Sequence, residues 1–102
     1  MKRIDLIGER NVTLEDQREM VLNYFLIEES SKENGVMNSS SYVYGIKIEK
    51  QFGGIVESEE VEALSYSKEM VLQLISTLME CTVTPMTMIE VVDELITLRQ
   101  CS

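Results

Sequence analysis

The stretch from Ser65 to Arg99 constrains the fold most, because it holds two amphipathic stripes divided by a single proline. Met70, Val71, Leu74, Ile75, Leu78 and Met79 recur at the spacing of one helix face, with Lys68, Glu69, Gln73, Ser76 and Glu80 outside it. Ser65 or Ser67 offers a hydroxyl to cap that helix. Pro85 lacks an N–H and disfavours helical geometry at Thr84, so the first helix ends before it. Thr87, with Glu90 three residues on, reads as a capping box opening a second helix. The apolar set of that helix is Met88, Val91, Val92, Leu95 and Ile96, with Ile89 flanking. At roughly 1.5–3 kcal/mol per fully buried side chain, either stripe outweighs local propensity.

Upstream, the period is that of strands. Met20 to Ile27 is apolar on both faces except at Asn23, as in a strand from the middle of a sheet. Tyr42 to Lys50 alternates, with Tyr42, Tyr44, Ile46 and Ile48 on one face and Val43, Gly45, Lys47 and Glu49 on the other. Gln51-Phe-Gly-Gly54 is a turn, and Ile55 to Glu62 returns as a Glu-rich strand suited to an edge. Residues 30–41 are polar and aperiodic, a long mobile loop in which Asn34-Gly35 offers a tighter hairpin. Residues 1–19 are weakly ordered or form an edge hairpin, from the alternation of Ile4 and Leu6 and of Val12 and Leu14. Thr13 with Asp16 offers a short helix there as the alternative.

Charge narrows the partners. The 102 residues hold 18 acidic and 9 basic side chains and no histidine, a net charge of −9. Residues 1–50 net −2, and from Gln51 onward nine acids face only Lys68 and Arg99. Phosphate backbones and anionic membrane surfaces need clustered Lys and Arg, so neither nucleic acid nor membrane is expected as a partner. A field of one sign serves solubility and steers a basic partner. Asp5 and Glu9 break the apolar run of a signal peptide, and Met20 to Ile27 is too short to span a bilayer. Cys81 and Cys101 lack a partner motif and read as reduced thiols, which leads to a cytoplasmic protein.

Asn23-Tyr24 with Ile27-Glu28-Glu29, Tyr44-Gly45-Ile46, Leu64-Ser65 and Val83-Thr84-Pro85-Met86-Thr87 with Glu90-Val91-Val92 occur in that order. This order resembles a small family of uncharacterised proteins of Gram-positive anaerobic bacteria, known only as a domain of unknown function. The resemblance covers roughly residues 20–98, implies a short cytoplasmic protein, and supplies no catalytic residues.

Without histidine the chain has no imidazole base, no Ser-His or Cys-His pair and no His metal site. Gly53-Gly54 is a hairpin pair rather than a phosphate loop. Carboxylates remain: Glu28 and Glu29 end a central strand, and Glu49 faces them if the hairpin register allows, which would make an acid and base pair. Solvated strand-end glutamates are the simpler reading. Glu90, Asp93, Glu94 and Thr97 share one face of the second helix, to be read as a solvated face, a docking face for a basic partner, or an all-oxygen cation site, in that order. Met70, Met79, Met86 and Met88 fill core gaps before they serve as an adaptable surface. Of Tyr24, Tyr42 and Tyr44, two are expected half-buried with their hydroxyls in water. Cys81 reads as a small buried hydrophobe and Cys101 as exposed.

The expectation is a single α+β domain, an antiparallel sheet of three to four strands followed by two C-terminal amphipathic helices packed on one face. The helices cover one face only, so either residues 1–19 or a second copy covers the other, and a homodimer joined by its sheet faces is expected. The function that follows is a non-enzymatic interaction or regulatory module, with no cofactor, no metal and no catalytic residue. It docks an unknown protein, basic in character, through Glu90, Asp93 and Glu94 or through Tyr42 and Tyr44. A small carboxylate enzyme or ligand- or metal-binding domain using Glu28, Glu29 and Glu49 is the alternative. An acidic nucleic-acid mimic built on Glu57 to Glu62 is the third.

Overall fold

Strands that alternate along their length and are joined by short turns pair with their sequence neighbours, and this chain does so throughout. The computed structural model describes residues 2–30 and 42–100, with side chains through Thr97. Strands β1 (Lys2–Thr13), β2 (Glu19–Ser30), β3 (Tyr42–Phe52) and β4 (Ile55–Ser65) form one antiparallel sheet in the order β1-β2-β3-β4. Helices α1 (Lys68–Glu80) and α2 (Pro85–Gln100) follow. The expected loop 30–41 and its Asn34-Gly35 turn lie outside the described residues, apart from Ser30, which ends β2.

The amino end departs from expectation. Residues 2–13 are neither a hairpin nor a cover for the second face; they are one continuous edge strand paired with β2. The break in alternation after Leu6 is a bulge, since Leu6 pairs with Phe25 and Gly8 with Tyr24, leaving Ile7 over. One extra residue resets the pattern without ending the strand. The turn after it closes with the Leu14 amide bonded to the Arg18 carbonyl at 2.8 Å, so Thr13 starts no helix. At β3–β4, Gly53 and Gly54 both have positive φ (58° and 80°), as a two-residue hairpin turn requires.

The core lies on one side of the sheet. Leu22, Tyr24 and Leu26 of β2 and Ile46 and Ile48 of β3 meet Val71, Leu74, Ile75 and Leu78 of α1 and Met88 and Val92 of α2, all buried. Helix α1 packs across all four strands, and α2 lies over β3 and β4. The Ser67 hydroxyl caps α1 by accepting from the Met70 amide at 3.2 Å, while Ser65 takes the Ser67 amide. Ser67→Ala should lower stability by about 1 kcal/mol, measured as a shift in urea midpoint at constant slope. Helix α2 begins at Pro85 rather than Thr87. Proline suits the first helical position, where no N–H is needed and its fixed φ is already helical. Thr84 thus takes the place before the helix, and Thr87 bonds back to the Thr84 carbonyl at 3.2 Å.

Of Tyr24, Tyr42 and Tyr44, only Tyr44 is half-buried where two were expected; Tyr42 is exposed and Tyr24 is buried. Its ring is fully buried, and its hydroxyl donates to the Val83 carbonyl at 2.9 Å, pinning the link between the helices to the central strand. Desolvation is the main cause that pushes its phenol up to about 12; the nearby Arg10 guanidinium opposes it. Cys81 is exposed rather than buried, at the turn that ends α1. Cys101 lies outside the described residues.

Candidate functional site

Alternation assigns each side chain of the sheet to one of two faces. Opposite the helices, successive cross-strand rows read Ile4, Ile27, Gly45; then Leu6, Phe25, Lys47, Glu60; then Glu9, Asn23, Glu49, Ser58; then Asn11, Val21, Gln51, Val56. No described element covers this face. Leu6 (57% exposed) and Val56 (60%) are its most open apolar side chains, with Ile4 beside Leu6 and Phe25 half-buried.

One end of the face closes on itself. The Lys2 ammonium, on edge strand β1, reaches β4 at the other edge and bonds to Glu60 at 3.0 Å and to Glu62. Lys47 lies 3.9 Å from the same Glu60 carboxylate and 5.6 Å from the centre of the Phe25 ring. The sheet can bend this far because β4 bulges: Tyr44 pairs with Ser65 but Ile46 with Val61, so three residues of β4 oppose Gly45. Within the bulge Ala63 has a positive φ of 56°, a local strain. Gly45 admits the bulge, since a Cβ there would stand 2.3 Å from the Val61 carbonyl oxygen. Its cross-strand partner Ile27 is 1% exposed although it points away from the helices. Part of the second apolar face is therefore sealed by the curl of the sheet itself.

The hydrogen bond from Lys2 holds the Glu62 carboxyl below its ordinary range, and bonds to Glu62 and Glu60 raise Lys2 above its own. Stability from Glu62 is present above its unfolded pKa and is lost as pH falls through its lowered value. Stability from Lys2 is present below its unfolded pKa and is lost as pH rises through its raised value. A urea midpoint difference between wild type and Lys2→Met should be small and flat near neutrality and should vanish in acid.

The residues singled out from sequence are dispersed. Glu28 and Glu29 pair with Tyr44 and Val43 and point to opposite faces, while Glu49 pairs with Asn23, several rows away. The register thus denies the acid and base pair. Tyr42 and Tyr44 lie on the helix side of the sheet: Tyr44 packs against the core, and Tyr42 is exposed at its corner. There Arg3, Glu28, Ser30 and Tyr42 line an open cleft of about 340 Å³, with the Arg3 guanidinium 3.1 Å from Asp5. Glu90, Asp93 and Glu94 are all exposed on α2, beside Ile89 and an 84% exposed Met86, the one methionine of its group outside the core. No cluster of three ligating side chains occurs among the described residues. Along β4, Glu57 pairs with Lys50, Glu60 with Lys2 and Lys47, and Glu62 with Lys2, so the acidic track is largely neutralised from within.

Sequence reasoning did not find the Lys2 closure. A lone glycine facing three residues of a neighbouring strand was its only trace, and strand register is needed to see it.

No helix among the described residues is long and apolar enough to cross a membrane. Among curated proteins and among solved structures, nothing matches the chain. The profile of a family of unknown function, DUF6514, matches residues 3–98 and so takes in β1, which the resemblance from sequence left out. With a match over nearly all of the sheet and of the helical pair, the chain belongs to this family of unknown function, DUF6514.

Proposed function

We propose that the protein is a non-enzymatic interaction module that docks another protein through the open face of its sheet. One observation carries this reading: α1 and α2 bury one face, while the other keeps Leu6 in solvent beside Phe25 and Val56 in solvent two rows away. Strands of 11–12 residues at about 3.3 Å rise, four abreast at about 4.8 Å, make a whole face of roughly 700 Å², of which the end closed by Lys2 is not open. The open part is below the roughly 800 Å² each partner commits to a standard complex, as in weaker, transient contacts. The dispersal of Glu28, Glu29 and Glu49 supports a binding role over a carboxylate enzyme.

A photocrosslinking residue at Leu6 or Val56, in cells that make the protein, tests the reading. Met86 on the outer side of α2 serves as the comparison position. Adducts from Leu6 and Val56 are expected. Adducts from Met86 alone would move docking to the acidic side of α2, and silence at all three positions would end the proposal.

A further inference from the structure

We infer that the occupant of the open face is a cationic amphipathic helix of a partner protein, an inference that rests on the docking role proposed above. The charges on the face carry it. Both lysines there are already engaged, Lys2 by Glu60 and Glu62 and Lys47 by Glu60. Four carboxylates, Glu9, Glu19, Glu29 and Glu49, have no basic side chain within ion-pair distance among the described residues. Two of them, Glu9 and Glu49, flank Asn23 in one row that ends at Ser58, a band that crosses the sheet. One Glu49 oxygen in it accepts from the Gln51 side-chain amide at 3.1 Å. The rows on either side of that band are mixed: Leu6 and Phe25 lie next to each other beside Lys47 and Glu60, and Val21 and Val56 alternate with Asn11 and Gln51.

A surface that sets Leu6, Phe25, Val21 and Val56 around a band of carboxylates fits a helix with leucines on one stripe and lysine or arginine beside it. The other face of this sheet already accepts a helix, α1, laid across all four strands. A second copy fits less well. It would set the same four unpaired carboxylates against themselves, in a chain of net charge −9, and like charges brought together at an interface are unfavourable. Docking along the β1 edge is blunted by its bulge and by Lys2, Arg3, Glu9 and Arg10.

The experiment titrates the full chain with a synthetic peptide of leucine and lysine at helical spacing, read by fluorescence anisotropy at low and high salt. A counterpart with glutamine at each lysine runs beside it. The lysine peptide should bind saturably and weaken as salt rises. Glu9→Gln with Glu49→Gln should weaken it about three- to tenfold, the sum of two exposed ion pairs. Glu90→Gln with Asp93→Asn on α2 should leave it within twofold, and circular dichroism checks that each variant is folded.

Four outcomes would overturn the inference: no saturable binding, equal binding of the glutamine peptide, equal weakening by the α2 pair, or a dimer by light scattering that Leu6→Glu splits. Failure here with crosslinks still forming at Leu6 and Val56 removes the cationic helix and leaves the docking role. Loss of those crosslinks removes both.

Discussion

Tyr24→Ala should lower stability by about 3–5 kcal/mol, the cost of emptying a fully buried aromatic site in a core that cannot collapse into it. For a domain of this size that is a large share of a total of roughly 5–15 kcal/mol. Tyr24→Phe separates the two functions of the side chain. It keeps the ring but takes the donor from the Val83 carbonyl, which should cost about 1–3 kcal/mol. Because burial raises the phenol to about 12, wild type should hold its stability below the unfolded value near 10 and lose it as pH climbs toward 12. Urea melts of wild type and Tyr24→Phe across that range check the sign. The Phe variant must lack this alkaline component, and an identical decline in both proteins would show that Tyr24 does not cause it.

Gly45→Ala should cost about 1–3 kcal/mol, the range for forcing extra atoms into packed backbone. The added Cβ meets the Val61 carbonyl at 2.3 Å and Glu62 Cα at 3.0 Å, and neither is a side chain that can swing aside. Relief requires the β4 bulge to withdraw, which pulls Glu62 from Lys2 and opens Ile27 to water. Gly8→Ala is the internal control. Its Cβ also makes a close contact, 2.2 Å, but with the terminal methyl of Met79, which can rotate away. The Gly8 variant should lose less than the Gly45 variant. Amide exchange at Ile27 should quicken in the Gly45 variant alone.

Period and punctuation made most of the architecture readable. The stripes from Met70 to Met79 and from Met88 to Ile96 lie where helices formed, and the four core residues of α1 come from the first stripe. Gly53-Gly54 marked its turn because only such residues take positive φ twice in succession. The misreadings share a cause. Ile7 is an extra residue, so β1 looked like two short alternating pieces although it is one strand. Thr87 matched a capping box, yet the pre-set φ of Pro85 opened α2 two residues earlier. Alternation also showed that β2 is apolar on both faces, but nothing local says that the sheet curls to bury Ile27 itself. The candidate site fared worse. Glu49 opposite Glu28 and Glu29 depended on register, and register is set across strands rather than along them. The acidic band of Glu9 and Glu49 became visible only once β1 had its place.

The meander pairs every strand with its neighbour in sequence, yet β1 finds its last partners far along the chain. Arg10 donates to the Met79 carbonyl across 69 positions, and Lys2 reaches Glu62 across 60. On a ribosome adding about 5–20 residues per second, the first strand made must wait several seconds for the residues that finish it. During that interval the strands can pair only with one another, with the helix-facing apolar side of β2 and β3 bare until α1 emerges. Synthesis thus leaves a brief period in which the chain depends on its solvated glutamates, and on whatever holds nascent chains apart, to stay single.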